Sequence, residues 1–161
     1  MARRIPAPLV GHIIAAADAP ARLPGPPTFR QVCMRRAVSS AYYAVLHALC
    51  FICADKLVGW SRTAVLPPIY RSLDHVTARK RLTSNEARGI APGIRRIGEL
   101  FALLQEQRHA ADHLPPAALL KRKQTLALID DARDAVASVE ALGSDARLAL
   151  AVLLVARQRS A

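Results

Sequence analysis

The feature that most constrains the fold is a long apolar segment in the first third of the chain, from about Phe29 to Val58. A proline-rich segment precedes it, and Gly59 follows it. The hydroxyl oxygen of Thr28 can cap the first turn of a helix that begins here. Because apolar residues would lie on most sides of this helix, we predict that it is central and that other helices cover it.

Proline and glycine divide the rest of the chain into further segments with helical periodicity. The spacing of apolar residues predicts helices over residues 9–17, 29–58, 68–81, 94–112, 115–142 and 144–158. A loop is expected over residues 19–28 and a linker or a short turn over residues 84–93. Hydrophobic residues make up 52% of the sequence and aromatic residues only 4%. Alanine and leucine favour helices, and aromatic residues, which favour strands, are scarce, so an all-α fold is expected.

The chain has 161 residues, which is enough for one hydrophobic core, so we expect a single domain. Long helices with short connections predict an antiparallel four-helix-type bundle with extra short helices. Residues 1–27 would form a short helix and a proline-rich loop. Residues 28–143 would form the core of the bundle, and residues 144–161 a C-terminal helix.

The chain is strongly basic, with a formal net charge of +11. A small protein with this charge attracts polyanions such as nucleic acid, an anionic membrane or an acidic protein. The alternative is that arginine here serves only solubility. Two clusters would grip phosphates or form solvated helix faces: the first is Arg79, Lys80, Arg81, Arg88, Arg95 and Arg96, and the second is Lys121, Arg122 and Lys123.

The three cysteines are Cys33, Cys50 and Cys53. An odd number without a disulfide framework is typical of a reducing compartment. The spacing of Cys50 and Cys53 also occurs in redox and metal-binding pairs. Since both lie in an apolar helical segment without a second cysteine pair, we expect buried structural thiols.

No segment is expected to span a membrane or to direct secretion. The apolar runs over residues 41–54 and 148–156 are shorter than a bilayer requires. His12 and Asp18 interrupt the apolar run near the N-terminus, so a signal peptide is not expected. These features predict a cytoplasmic protein.

Charged residues and histidines follow the apolar face of the helix predicted over residues 94–112. Arg108 lies about 40° from Leu104 on a helical wheel, at the edge of that face. Pro115 ends the helix near Asp112 or His113, so we expect His113 to be free to move. A guanidinium beside an imidazole suits phosphate chemistry. The alternative is that Arg108 only forms an i, i+4 ion pair with Asp112.

The central helix carries a polar stripe of Ser39, Tyr43 and His47, with Tyr42 beside it. These side chains would either line a cleft or form a hydrogen-bonded network inside the bundle. Asp74 and the histidine that follows it cannot act as a dyad, because neighbouring residues on a helix point about 100° apart. We expect Asp74 either to cap a polar network or to pair with Arg71 or Arg79.

Three segments, in this order, resemble those of the HEPN family. They are RRAVSSAYYAVLH at residues 35–47, IYRSLDH at residues 69–75 and LQEQRHAADH at residues 104–113. The resemblance covers most of the chain from about Thr28. It implies a compact, mainly antiparallel helical bundle that forms a homodimer. It further implies a metal-independent RNA endonuclease without a cofactor, of the kind that serves bacteria as a toxin or defence component.

The HEPN signature is an arginine, a polar residue and then a histidine after four to six intervening residues. By this resemblance, His113 would be the general base or acid at the RNA 2′-hydroxyl. Arg108 would bind the scissile phosphate, and His109 would orient them. Four further residues are candidates for binding the RNA substrate: His47, Tyr43, Arg95 and Arg96.

The resemblance also suggests an antitoxin or a nucleotidyltransferase as a partner protein. Two other functions stay open. One is a non-catalytic HEPN module that binds RNA, a nucleotide or a partner protein. The other is a structural dimer that serves as an adaptor in a two-gene system.

Overall fold

The computed structural model describes residues 7–115 and 120–156, and within these ranges the chain forms eight α-helices and no strands. The predicted all-α class is therefore confirmed. The helices are α1 (Ala7–Arg22), α2 (Pro27–Leu57), α3 (Leu66–Ser72), α4 (His75–Leu82), α5 (Asn85–Ile90), α6 (Pro92–His113), α7 (Arg122–Ala141) and α8 (Ser144–Val155), with a short 3₁₀ turn at Thr63–Val65.

Helix α2 is the central element, as its apolar sequence predicted. It packs against α1, α6, α7 and α8, and side chains such as Val38, Leu49 and Ile52 are almost completely buried. By length and composition alone, α2 is apolar enough to cross a membrane, so the expectation that its apolar run is too short was wrong. Within the fold, however, 83% of its apolar window is buried, as in the core helix of a bundle.

Hydrogen bonds between distant residues fix the directions of the helices around α2. Arg35, in the first half of α2, donates to the carbonyl oxygens of Ala111 and Leu114 at the end of α6, so α2 and α6 run antiparallel. Gln31 binds Leu120 just before α7, and Lys56 donates to Ser144 just after it. Helices α2 and α7 therefore run in the same direction, and the fully antiparallel arrangement is not confirmed.

The first helix is longer than predicted and contains a proline. The sequence predicted a loop from residue 19, but α1 continues through Pro20 to Arg22. Ala17 and Ala21 are buried on either side of this proline, where α1 packs against α2. The packing of this last turn outweighs the hydrogen bond that a proline cannot donate.

One predicted helix is divided in two. Residues 68–81 form α3 and α4 instead of one helix, with Leu73 buried at the break. The carboxylate of Asp74 accepts a hydrogen bond of 2.8 Å from the backbone N–H of Thr77 and caps α4. Hydrogen bonding by Thr77, through its side chain and then through its backbone N–H, lowers the pKa of Asp74. Asp74 therefore caps a helix, and within the described residues it forms neither of the ion pairs with Arg71 or Arg79 that were expected as one alternative.

The predicted linker over residues 84–93 contains a helix of its own. The hydroxyl oxygen of Ser84 accepts a hydrogen bond of 3.1 Å from the N–H of Ala87 and caps α5. Ala87 is completely buried, so this short helix is held by packing as well as by its cap. The serine is a helix-cap signal that the sequence contains. The sequence-based prediction gave more weight to the nearby glycine and proline.

The boundaries of the last three helices agree with the prediction except at the start of α7 and the end of α8. Helix α6 ends at His113, within the range predicted from the prolines. Helix α7 begins at Arg122, because Leu120 and Lys121 are not helical, so the predicted start at Pro115 was wrong. Helix α8 ends at Val155, three residues before the predicted end at residue 158. Residues 116–119 lie outside the described residues.

The three cysteines are free and buried, as predicted. Burial raises the pKa of Cys50 to about 12 and that of Cys53 to about 12. Since the thiolate is the reactive and metal-binding form, these thiols are inert and belong to the core.

Candidate functional site

A surface pocket of about 450 Å³ lies between α4 and α6, over the buried ring of Tyr42 on α2. It combines imidazole, guanidinium, carboxylate and amide groups. Its lining consists of His75, Val76, Arg79, Gln105, Glu106, Arg108 and His109.

The Arg108 side chain is held in place from two sides. Its Nε donates a hydrogen bond of 2.9 Å to Asp112, the i, i+4 pair that was the alternative to a catalytic role. Its guanidinium carbon lies 5.5 Å from the ring centroid of Tyr42 and 5.7 Å from that of Tyr43. Such cation–π contacts favour a fixed orientation. Within the described part of the chain, neither Nη nitrogen has a hydrogen-bond partner, so both can bind a ligand.

His75, the first residue of α4, reaches the same pocket from the opposite wall. Its Nδ1 is 2.5 Å from the hydroxyl oxygen of Tyr42, and its carbonyl oxygen accepts a hydrogen bond from Gln105. Burial and the nearby Arg108 cation lower the pKa of His75. Burial also raises the pKa of Tyr42, which keeps that hydroxyl protonated. The imidazole is therefore neutral and fixed in place near pH 7.

His109 and His113 are neighbours on the exposed side of α6, with ring centroids 4.8 Å apart. His109 lines the pocket, and His113 lies one turn further on. The helix ends at His113, as the prolines predicted, but the expected freedom of His113 to move is not confirmed, because His113 is still helical and the N–H of Leu114 bonds to Ala110. On a continuous helix, His113 points about 140° away from Arg108.

The four predicted substrate-binding residues are divided between different places. Tyr43 is 36% exposed and lies beside Arg108 at the edge of the pocket. His47 faces Tyr70 instead, and its Nδ1 is buried without a partner in the described residues. Arg95 pairs with Glu99 and Arg96 with Asp134, and both arginines lie about 18 Å or more along α6 from Arg108.

Several residues of the predicted basic clusters have structural partners. Arg81 donates to the carbonyl oxygens of Leu153 and Leu154 at the end of α8. Arg79 forms a short ion pair with Glu106 across the pocket, and Arg122 donates to the carbonyl oxygen of Leu23. These cations hold the bundle together, so the net charge overstates how much basic surface is free.

Sequence reasoning did not assign His75, Gln105 or Tyr42 to the site. The signal for His75 was present in the segment at residues 69–75, but no helical periodicity relates it to Tyr42. The two residues belong to different helices, and only their packing against α6 brings them together. Among the described residues, no group of three or more His, Cys, Asp and Glu side chains is arranged to hold a metal ion.

Comparisons of this chain with protein-family models, with curated proteins and with solved structures find no match.

Proposed function

We propose that this protein is a metal-independent RNA endonuclease of the HEPN type and that RNA is cleaved at the pocket of Arg108 and His109. The observation that supports the proposal best is a guanidinium with two unoccupied Nη groups next to imidazoles, in a pocket open to solvent. The net charge of +11 favours a polyanionic substrate.

Cleavage through the 2′-hydroxyl needs proton transfer and charge stabilisation but no metal ion. One imidazole removes the proton of the 2′-hydroxyl, and the oxygen attacks phosphorus. The 5′-oxygen leaves with a proton from a second imidazole, so the products carry a 2′,3′-cyclic phosphate and a 5′-hydroxyl. In this protein His113 would transfer the protons, one copy from each subunit of a homodimer, and Arg108 would stabilise the charge that develops on the phosphate oxygens. His109 would orient them.

A homodimer would complete the site, because Arg108 and His113 of one subunit point apart. Two copies that meet along this side of α6 would place His113 of each near Arg108 of the other. The exposed side chains at this edge support such pairing, since Val76 is 75% exposed and Tyr43 is 36% exposed. An activity of this kind suits a cytoplasmic toxin or defence component restrained by a partner protein, such as an antitoxin or a nucleotidyltransferase.

The test is cleavage of end-labelled RNA by the purified protein in EDTA. We expect cyclic-phosphate products, and a loss of about 10²-fold or more in Arg108→Ala and in His113→Ala. Arg108→Lys keeps the charge but not the two Nη donors, so it should stay impaired. His12→Ala changes an exposed histidine of α1 and serves as the matched control. Equal cleavage by all of these proteins would rule the endonuclease out.

A second function is favoured by the ion pair between Arg108 and Asp112. This pair orients the guanidinium, as a binding site requires, whereas His113, the predicted general base, points away from it on the same helix. A non-catalytic HEPN module would bind RNA or a nucleotide here and release no product. Binding that weakens steeply with salt and leaves the labelled RNA intact would favour this function. A stable complex with a neighbouring gene's product and no RNA affinity would instead indicate an adaptor.

A further inference from the structure

The hydroxyl of Tyr42 is in an unusual position, because the residue is completely buried and the hydroxyl has one hydrogen-bond partner among the described residues. That partner is Nδ1 of His75, at 2.5 Å. A buried hydroxyl donates its proton wherever an acceptor is within reach. Among the described residues, Nδ1 is the acceptor available to it. The tyrosine therefore donates, Nδ1 accepts, and the neutral imidazole carries its own proton on Nε2.

The Nε2–H of His75 is directed away from Tyr42. Nε2 lies on the other side of the ring from Nδ1, and it has no hydrogen-bond partner in the described part of the chain. His75 lines the pocket, and Arg108 lines it as well with two unoccupied Nη groups. Two side chains that carry N–H donors, from the helices α4 and α6, thus line one pocket.

The backbone of His75 is also fixed, which makes the direction of its ring reproducible. Asp74 caps the helix that His75 begins, and Gln105 of α6 donates a hydrogen bond of 2.9 Å to the His75 carbonyl. The ring is further in contact with the rings of Tyr42 and Tyr43. These contacts come from three helices, so the imidazole is held before any ligand binds.

The ionic side chains of the pocket are balanced. Arg79 pairs with Glu106, and Arg108 pairs with Asp112. A ligand that depended on net charge alone would gain little here. Recognition must come from directed donors, namely Nε2–H of His75 and the Nη groups of Arg108. Such a set of donors matches the oxygens of a tetrahedral oxyanion.

We propose that His75 and Arg108 together bind one phosphate group and that Tyr42 is the positioning residue that holds the Nε2–H of His75 toward it. The assignment rests on the proposed function only in identifying that group as a phosphodiester of RNA. In that reaction a neutral His75 would donate to a phosphate oxygen as its charge develops, without giving up a proton. His75 would therefore assist Arg108, and proton transfer would stay with His113.

The first experiment detects the tautomer of His75 by ¹⁵N NMR of the histidine rings in the full chain at a pH where the ring is neutral. We expect the Nε2–H tautomer in the wild type and a mixture in Tyr42→Phe, because phenylalanine cannot donate to Nδ1. Tyr70→Phe removes a hydroxyl near His47 and should leave the His75 signals unchanged. An Nδ1–H tautomer in the wild type would overturn the proposal.

The second experiment titrates inorganic phosphate into the same proteins. We expect shifts of the His75 Nε2 and Arg108 side-chain signals in the wild type. Binding should weaken about tenfold in His75→Ala, which corresponds to one hydrogen bond to a charged group. His75→Gln should recover part of the loss, since its amide nitrogen lies near the position of Nε2. His12→Gln is the control. If phosphate shifts neither the His75 signals nor the Arg108 signals, the proposed phosphate-binding site is wrong.

The two experiments separate this inference from the endonuclease proposal. If phosphate binds and His75 has the expected tautomer, but RNA is not cleaved, the phosphate site is supported and the endonuclease proposal is ruled out. If RNA cleavage is unaffected in His75→Ala and phosphate does not shift the His75 signals, the role proposed for His75 is ruled out. Arg108, His109 and His113 would then remain the candidate catalytic residues. A short RNA titrated into His113→Ala then shows whether the phosphodiester binds where free phosphate does.

Discussion

Two histidines of this protein lie against tyrosines, and they differ in what the contact provides. His75 shares a short hydrogen bond with Tyr42 and opens onto a pocket that also contains Arg108. His47 lies 6.1 Å from the ring of Tyr70, and its Nδ1 is buried without a partner among the described residues. Burial lowers the pKa of both histidines, and Arg108 contributes further at His75.

The difference shows that a polar stripe on one helix is a poor guide to a site. Tyr43 and His47 share a face of α2, yet His47 is half-buried against Tyr70, and Tyr43 lies beside Arg108 at the edge of the pocket. The arrangement at His75 comes instead from three helices that meet, each supplying one group. Breaking the support of His75 should therefore affect the pocket and leave the surroundings of His47 intact.

The largest expected effect comes from Gly98, where α6 passes close to the end of α4. A Cβ at Gly98 would lie 2.5 Å from the carbonyl oxygen of Leu82, so one helix must move. We expect Gly98→Ala to lower the free energy of unfolding by about 1–3 kcal/mol, measured by urea denaturation. Because α4 carries His75, NMR signals of His75 should shift more than those of His47.

Gly93→Ala is the matched control for this substitution. Gly93 lies in the same helix, but a Cβ there would meet nothing within 4 Å. Alanine in that helical position should leave stability unchanged or raise it by about 0.4–1 kcal/mol. If Gly98→Ala is as stable as Gly93→Ala, then the close approach of α4 and α6 does not hold the pocket in shape.

A smaller effect is expected from the two tyrosine hydroxyls. Tyr42→Phe leaves Nδ1 of His75 without its donor, which should cost about 1–2 kcal/mol. The hydroxyl of Tyr70 has no hydrogen-bond partner in the described part of the chain, so Tyr70→Phe should change stability by less than about 0.5 kcal/mol. The free energy of unfolding is again measured by urea denaturation. If the two variants lose equal stability, the proposed difference between His75 and His47 is wrong.

The smallest effect concerns pH. The pKa of His47 is lowered by burial from its ordinary value of 6.5, so protons bind the unfolded chain more readily than the folded one. Stability should therefore fall as the pH decreases from about 7.5 to about 5.5. The fall should be smaller in His47→Gln and unchanged in His12→Gln, an exposed site. The pKa values of Asp18, Asp74 and Glu99 are lowered, so these carboxylates respond only at more acidic pH.

The sequence predicted correctly the helix ends that depend on local signals such as proline and glycine. The prediction failed where packing or side-chain caps determine the helix boundaries. Proline before residue 28 and Gly59 bounded α2 closely, and Pro115 placed the end of α6. Pro20 misled the prediction of α1, because the burial of Ala17 and Ala21 cannot be read from local spacing. The division between α3 and α4 depends on the cap at Asp74.

The candidate site was predictable only in part for the same reason. Arg108, Asp112 and His109 lie on one helix, so their spacing showed their relation directly. The contact of His75 with Tyr42 joins residues from different helices, and its geometry arises when both pack near α6. A helical wheel contains no information about such a pairing.

The burial of α2 has a consequence for synthesis on the ribosome. Helix α2 ends at Leu57, whereas α8, which covers part of it, begins only at Ser144. A nascent chain therefore exposes a helix apolar enough to attract chaperones, other chains or a lipid bilayer while most of its cover has yet to be translated. Slow translation through α6 and α7 would lengthen that exposure, so we expect the yield of folded protein to depend on the codons chosen there.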